Sequence, residues 1–180
     1  TVSDLEQIFA EDDAVELLEN TFKHLDKDSK LNFYRDYVYP WVTARNQKAI
    51  EDDVAVTSKW HLDPGTPTDF KEPEDLLKLL KFQFNQQSVY SQLQLHALSK
   101  MREADKSNNA QTIDLAAGGG KTFLSTIYSE MFYQDGDGPP IIHVAPFKQA
   151  GEGWDEFPDG DEELKPGRHY WITAKEFNDN

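Results

Sequence analysis

The stretch that decides the fold is Ile113-Asp-Leu-Ala-Ala-Gly-Gly-Gly-Lys-Thr122, which is followed by an apolar run from Phe123 to Tyr128. Thr112 to Leu115 have the pattern of the end of a buried strand, the glycines that of a turn, and the residues after them that of a helix. Backbone N–H groups can converge on an anion in such a turn, because glycine permits a close approach and unusual backbone angles. The helix N-terminus adds a favourable dipole. The stretch therefore predicts a phosphate-binding turn.

The residue types of this turn suggest a role for each position. Gly118, Gly119 and Gly120 would supply the converging N–H donors. Lys121 would reach the β- and γ-phosphates, and Thr122 would place its hydroxyl on Mg²⁺. We therefore expect ATP with Mg²⁺ as the ligand and Thr122 as the metal ligand. The general pattern has a glycine where this chain has Leu115, which leaves open a plain glycine turn with Lys121 in solvent.

The sequence before the turn predicts helices and a connector. Residues 1–50 form a predicted helical accessory region, with apolar residues at helical spacing and an aromatic stripe that Pro40 interrupts. Residues 51–75 form a connector rich in acidic and turn residues. Residues 76–180 form the predicted nucleotide-binding domain, which opens on a helical pair whose first helix starts at Pro73. The stripe, predicted to lie in the core, consists of Phe33, Tyr34, Tyr37, Val38 and Trp41.

Two further apolar runs follow the turn. Ile141–Ala145 predicts a second buried strand, and His169–Ala174 predicts a third. A strand, a helix and another strand in this order imply a parallel sheet with a right-handed crossover. The predicted fold class is therefore α/β, with a helical N-terminal region followed by a parallel-sheet unit.

Three segments together resemble a known family. Ala116–Thr122 resembles motif I of superfamily 2 helicases and translocases, of which the SecA-type protein-translocation motors and restriction-type helicases carry an apolar residue where Leu115 stands. Ile141–Lys148 resembles the second strand and motif Ia of that family, and Ser91–Leu98 resembles its glutamine-containing helix before motif I. The resemblance covers residues 88–175 and implies a partial RecA-like P-loop unit. It also implies that Gln94 contacts adenine, or Gln92 in another register.

The family's remaining motifs do not follow. The family needs an Asp-Glu motif after another strand to hold Mg²⁺ and position the attacking water, but Asp155-Glu156 follows motif Ia too closely for that role. The arginine-bearing motifs of a second lobe are absent from this sequence. The resemblance thus implies the ATP-binding segment of a helicase- or translocase-like motor, at most part of an ATPase, with no catalytic residue of its own.

Composition bounds the partners. The chain has 33 acidic residues against 18 lysines and arginines, a formal net charge of −15. This balance argues against direct binding of nucleic acid, which needs clustered positive charge, and favours a translocase-like member with a protein partner. Without cysteine, disulfides and thiolate metal sites are excluded. Because no signal-like segment and no apolar run of about 20 residues is present, we expect no membrane span and a cytoplasmic location.

Two alternatives stay open at this point. The chain could be a non-enzymatic acidic protein-interaction domain, secreted or effector-like, whose glycine turn has no nucleotide ligand and whose aromatic N-terminal helices bind a partner. Separately, Asp26 and Asp28 stand at the first and third positions of a weak calcium-loop pattern, with Leu31 where the turn glycine belongs. The other interpretation of that segment is a polar connection between helices.

Overall fold

The computed structural model describes residues 7–11, 13–53, 63–115, 120–133, 141–146 and 169–179. The predicted loop at 135–140 and the predicted acidic loop at 151–167 lie outside these ranges. By spatial contact the chain divides into two compact units, Thr1–Gln111 and Thr112–Asn180. This division is one of contact in space, and the predicted domain limits at residues 50 and 75 stay a prediction.

The described part of the first unit is helical. Helix α4 begins as its sequence predicts, with Pro73 in the first turn, where its missing N–H is not needed, followed by acidic Glu74 and Asp75 near the positive end of the dipole. The helical elements of this unit are α1 (Ala14–Phe22), α2 (Lys27–Phe33), a π-helical turn (Tyr34–Val38), α3 (Tyr39–Asp53), α4 (Pro73–Asn85) and α5 (Gln92–Lys106).

Helix α4 lies at the centre of the first unit. It contacts α1, α2, the π turn and α3. Its leucines Leu76, Leu79 and Leu80 are fully buried, and burial of each such side chain contributes about 1.5–3 kcal/mol. The apolar face that the sequence predicts for this helix is therefore the core of the unit.

The predicted interruption at Pro40 is wrong, because the helix runs without a break from Lys27 to Asp53. Pro40 lacks an N–H, and its ring would crowd the carbonyl of Asp36 in a regular α-helix. The chain avoids this clash with the wider π turn, in which the Tyr39 N–H donates to the Tyr34 carbonyl, five residues back. The aromatic stripe splits as a result: Tyr34 is buried, whereas Tyr37 is 64% exposed.

The second unit contains a small parallel sheet. Helix α6 (Lys121–Phe132) precedes strand β1 (Ile141–Ala145), and strand β2 (His169–Thr173) pairs with β1 in parallel. The register runs from Ile141 opposite His169 to Ala145 opposite Thr173. The two later strands are thus confirmed, and the described structure is mostly helical with a two-stranded parallel sheet.

The predicted strand at Thr112–Leu115 is wrong, since these residues have no regular secondary structure. A short apolar run becomes a strand only where a neighbouring strand supplies its hydrogen bonds, and β1 and β2 pair with each other. β2 also ends one residue earlier than predicted. Thr173 begins helix α7 (Ala174–Asp179), where the Glu176 carboxylate accepts from the Thr173 N–H at 2.8 Å and from its hydroxyl at 2.7 Å.

Among the described residues, none of the helices has both the length and the apolar character that crossing a membrane requires.

Candidate functional site

The last glycine of the turn has the backbone conformation for which such turns use glycine. Gly120 precedes α6 with φ 80° and ψ 31°, in the left-handed region. A side chain at this position would strain the backbone, whereas glycine adopts it freely. Gly118 and Gly119 lie outside the described residues. The structure therefore supports the predicted turn at its final position, directly where the helix begins.

The lysine that follows turns back over the loop. Lys121 Nζ donates a hydrogen bond to the carbonyl oxygen of Leu115 at 2.7 Å. The ammonium thus lies beside the residue that precedes the glycines, six positions earlier in the chain. It also belongs to the first turn of a twelve-residue helix, whose leading N–H groups have no acceptor within the helix. A fixed cation and a helix N-terminus at one loop are the two features that attract an anion.

Thr122 is the second residue of α6 and is partly exposed. Its carbonyl accepts from the hydroxyls of Ser125 at 2.8 Å and Thr126 at 3.1 Å, which holds the first turn of the helix. Within the described ranges, no group of three or more histidine or acidic side chains is placed to hold a metal ion. Mg²⁺ at nucleotide sites takes one or two protein oxygens and completes its shell with phosphate and water. Thr122 fits that smaller role.

Gln94 belongs to the first unit, where it has a structural role. Its side-chain oxygen accepts from the Ser91 N–H at 3.0 Å, and its own N–H donates to the Ser91 hydroxyl at 3.3 Å. The two residues form a capping box at the start of α5. Bidentate recognition of adenine uses both the oxygen and the NH₂ of an amide, so adenine would have to share the oxygen with this cap. The sequence signal was available, because Ser-x-x-Gln is a capping-box pattern.

Gln92, the alternative in the other register, is also engaged. Its side-chain oxygen accepts from the Thr66 N–H at 2.8 Å. This bond ties the segment before α4 to the start of α5, next to the backbone bond from the Gly65 N–H to the Tyr90 carbonyl at 2.9 Å. Both glutamines therefore have local reasons to be glutamine.

The calcium-loop alternative at Asp26 is wrong. Asp26 is the N-cap of α2, and its carboxylate accepts from the Ser29 N–H at 2.9 Å and from the Ser29 hydroxyl at 2.7 Å. These bonds favour the charged form and lower the pKa of Asp26 below its ordinary value. Asp28 lies in the first turn of the helix. The segment is a helix start that connects two helices, as the other interpretation proposed.

Two ionisable side chains are buried in the second unit. Glu130 on α6 is 1% exposed and His143 on β1 is 8% exposed. His143 was predicted to be a core histidine from its place in an apolar strand, and its burial agrees. The burial of Glu130 was missed, because a glutamate near the end of a helix is usually in solvent. Only the packing of α6 places it inside.

Comparison of the chain with protein-family models, with curated proteins and with solved structures gives no match. Function is therefore argued from the geometry above and from the three segments that resemble superfamily 2 motors.

Proposed function

We propose that residues 113–122 form an ATP-binding loop, and that this chain is the nucleotide-binding segment of a helicase- or translocase-like motor with a partial RecA-like P-loop unit. The observation that carries the proposal is the conformation of two adjacent residues. Gly120 is left-handed and Lys121 turns back to the Leu115 carbonyl at the start of α6. The parallel pairing of β1 and β2 downstream supports the same architecture.

The lysine contact suggests how the loop takes up phosphate. In this structure the ammonium of Lys121 donates to a neutral carbonyl oxygen. A phosphate oxygen is a stronger acceptor, because it carries negative charge and makes shorter, charge-assisted hydrogen bonds. The ammonium would therefore exchange the Leu115 carbonyl for the β- and γ-phosphates. Mg²⁺ would bridge those phosphates to the Thr122 hydroxyl.

The proposed role is binding without turnover. Neither the Asp-Glu motif nor the arginines of a second lobe occurs in a suitable place in this sequence, so no residue is assigned to catalysis. The net charge of −15 favours a protein partner over nucleic acid. A cytoplasmic location stays a prediction from the sequence.

Binding of ATP to purified chain, measured by calorimetry with and without Mg²⁺, tests this proposal. We expect Lys121→Ala to weaken ATP binding at least about tenfold, because a hydrogen bond to a charged group contributes about 1.5–3 kcal/mol. Lys175→Ala is the matched control, since Lys175 is an exposed lysine of the same unit and its loss should leave affinity unchanged. Thr122→Val should reduce mainly the gain in affinity that Mg²⁺ provides.

The proposed adenine contact of Gln94 has a separate test. Gln94→Ala should weaken binding of ATP but not of inorganic tripolyphosphate, which has no base. Ser91→Ala breaks the same capping box from its other side and should affect neither ligand. If ATP does not bind the wild type, or binds Lys121→Ala equally well, the proposal fails. The alternative of an acidic protein-interaction domain without a nucleotide then stands.

A further inference from the structure

Four polar side chains are enclosed between two helices of the first unit. Tyr39, Thr43 and Asn46 follow one another at helical spacing on α3, so they share one face. Gln83 lies on the adjacent helix α4. Tyr39 and Asn46 are each 1% exposed, Thr43 is 6% exposed and Gln83 is 0% exposed. This is a buried polar cluster in a core that is otherwise built largely from leucine and aromatic residues.

The two amides of the cluster have fixed orientations. The Asn46 Nδ2 donates to the backbone carbonyl of Gln83 at 2.5 Å and to that of Ser88 at 3.1 Å. The Gln83 Nε2 also donates to the Ser88 carbonyl, at 3.4 Å. Because a carbonyl can only accept, the nitrogens must face it and neither amide can be turned over. The oxygen of each amide is therefore directed away from these carbonyls.

Four atoms of the cluster lack hydrogen bonds. Within the described part of the chain, the Tyr39 and Thr43 hydroxyls and the side-chain oxygens of Asn46 and Gln83 have no partner. A buried polar group without a partner costs about 1–3 kcal/mol, and native proteins rarely leave one so. The hydroxyls can each donate one proton, whereas the two amide oxygens can only accept. The cluster thus offers two donors and two acceptors.

We propose that this cluster is a binding site for an internal water molecule, held between α3 and α4 by Tyr39, Thr43, Asn46 and Gln83. Water donates two hydrogen bonds and accepts two, which complements the four atoms. Buried waters commonly make about three bonds to groups of this kind. A larger ligand is excluded by the near-complete burial of all four side chains.

The tyrosine is suited to the donor role at neutral pH. Burial raises the pKa of Tyr39 to about 12, and the nearby side chains of Gln83 and Thr43 oppose that rise only in part. The phenol therefore keeps its proton. The opposing effect also indicates that both side chains lie near the Tyr39 hydroxyl, where one water could reach all three.

Water NMR relaxation dispersion, which counts long-lived internal waters, tests the site. We expect the double variant Tyr39→Phe, Thr43→Val to lose about one such water relative to wild type. Tyr37→Phe removes a hydroxyl from the same continuous helix at an exposed position and should lose none. On the wild type, magnetisation transfer should connect water with the Asn46 side-chain amide protons, which gives a readout that no variant can disturb by unfolding.

Two results would overturn the inference. One is an unchanged water count in a folded double variant. The other is a wild type without transfer between water and the Asn46 amide, or a high-resolution crystal structure in which the four atoms bond directly to one another.

Discussion

Replacement of Gly65 by alanine should destabilise the first unit by steric overlap alone. Gly65 is buried against the start of α5, and an added Cβ would lie 2.6 Å from the Cα and from the backbone nitrogen of Gln92, and 2.8 Å from the Leu95 Cδ1. Ordinary contacts begin at 3.4 Å, so the two segments would have to separate by about 0.8 Å. Two of the three atoms are backbone, which cannot swing aside as a flexible side chain can.

That separation also acts on two hydrogen bonds. The Gly65 N–H donates to the Tyr90 carbonyl at 2.9 Å, and the Thr66 N–H donates to the Gln92 side chain at 2.8 Å. Overpacking costs about 1–3 kcal/mol, and each hydrogen bond contributes about 0.5–1.5 kcal/mol. We therefore expect Gly65→Ala to lower the free energy of unfolding by about 2–6 kcal/mol, a large part of the stability of a typical domain.

Urea unfolding followed by far-ultraviolet circular dichroism measures this loss as a lower midpoint at unchanged slope. Thr68→Ala is the control, because Thr68 is exposed in the same segment and its loss should have little effect. A Gly65→Ala protein within about 0.5 kcal/mol of wild type, the range of ordinary surface changes, would show that this segment does not lie against Gln92.

Two further predictions concern helix starts. Ser91→Ala removes the acceptor of the Gln94 N–H and should cost about 1 kcal/mol in urea unfolding, whereas no loss would mean that the capping box is not formed in solution. Ser29→Ala should raise the lowered pKa of Asp26 toward its ordinary value of 3.8, since the Ser29 hydroxyl is the main cause of the shift; NMR titration of the carboxyl carbon measures it, and an unmoved pKa would contradict the cap. Because the folded-state pKa is lowered, the stabilisation from Asp26 is present above pH 3.8 and is lost as the pH falls through the lower value.

Elements with strong local signals could be predicted from the sequence. Pro73 followed by two acids indicates a helix start in any context, and α4 begins there. The β-branched run Ile141–Ala145 is bounded by prolines on both sides, and it is a strand. In these places local chemistry and tertiary structure favour the same conformation.

The failures occur where a neighbour decides. The run at Thr112–Leu115 is apolar enough for a strand, but a strand also needs a pairing edge, which the run itself cannot reveal. Pro40 interrupts a regular α-helix, but the sequence does not show that the preceding turn can widen. Gln94 fits both a family pattern and a capping box, and only coordinates reveal that its oxygen is already bonded. Of the candidate site, the conformations of Gly120 and Lys121 support the prediction, and binding itself is for experiment.

The π turn has a consequence for which changes of length the chain tolerates. From Lys27 to Asp53 the chain is one rod about 40 Å long at 1.5 Å per residue, and both halves of the rod contact α4. Removing one residue between Tyr34 and Val38 would tighten the turn and rotate one half against the other by about 100°. The apolar side of one half would then face solvent. Substitutions in this turn can be accommodated one side chain at a time, whereas a single deletion would put a whole helix out of phase with its partner.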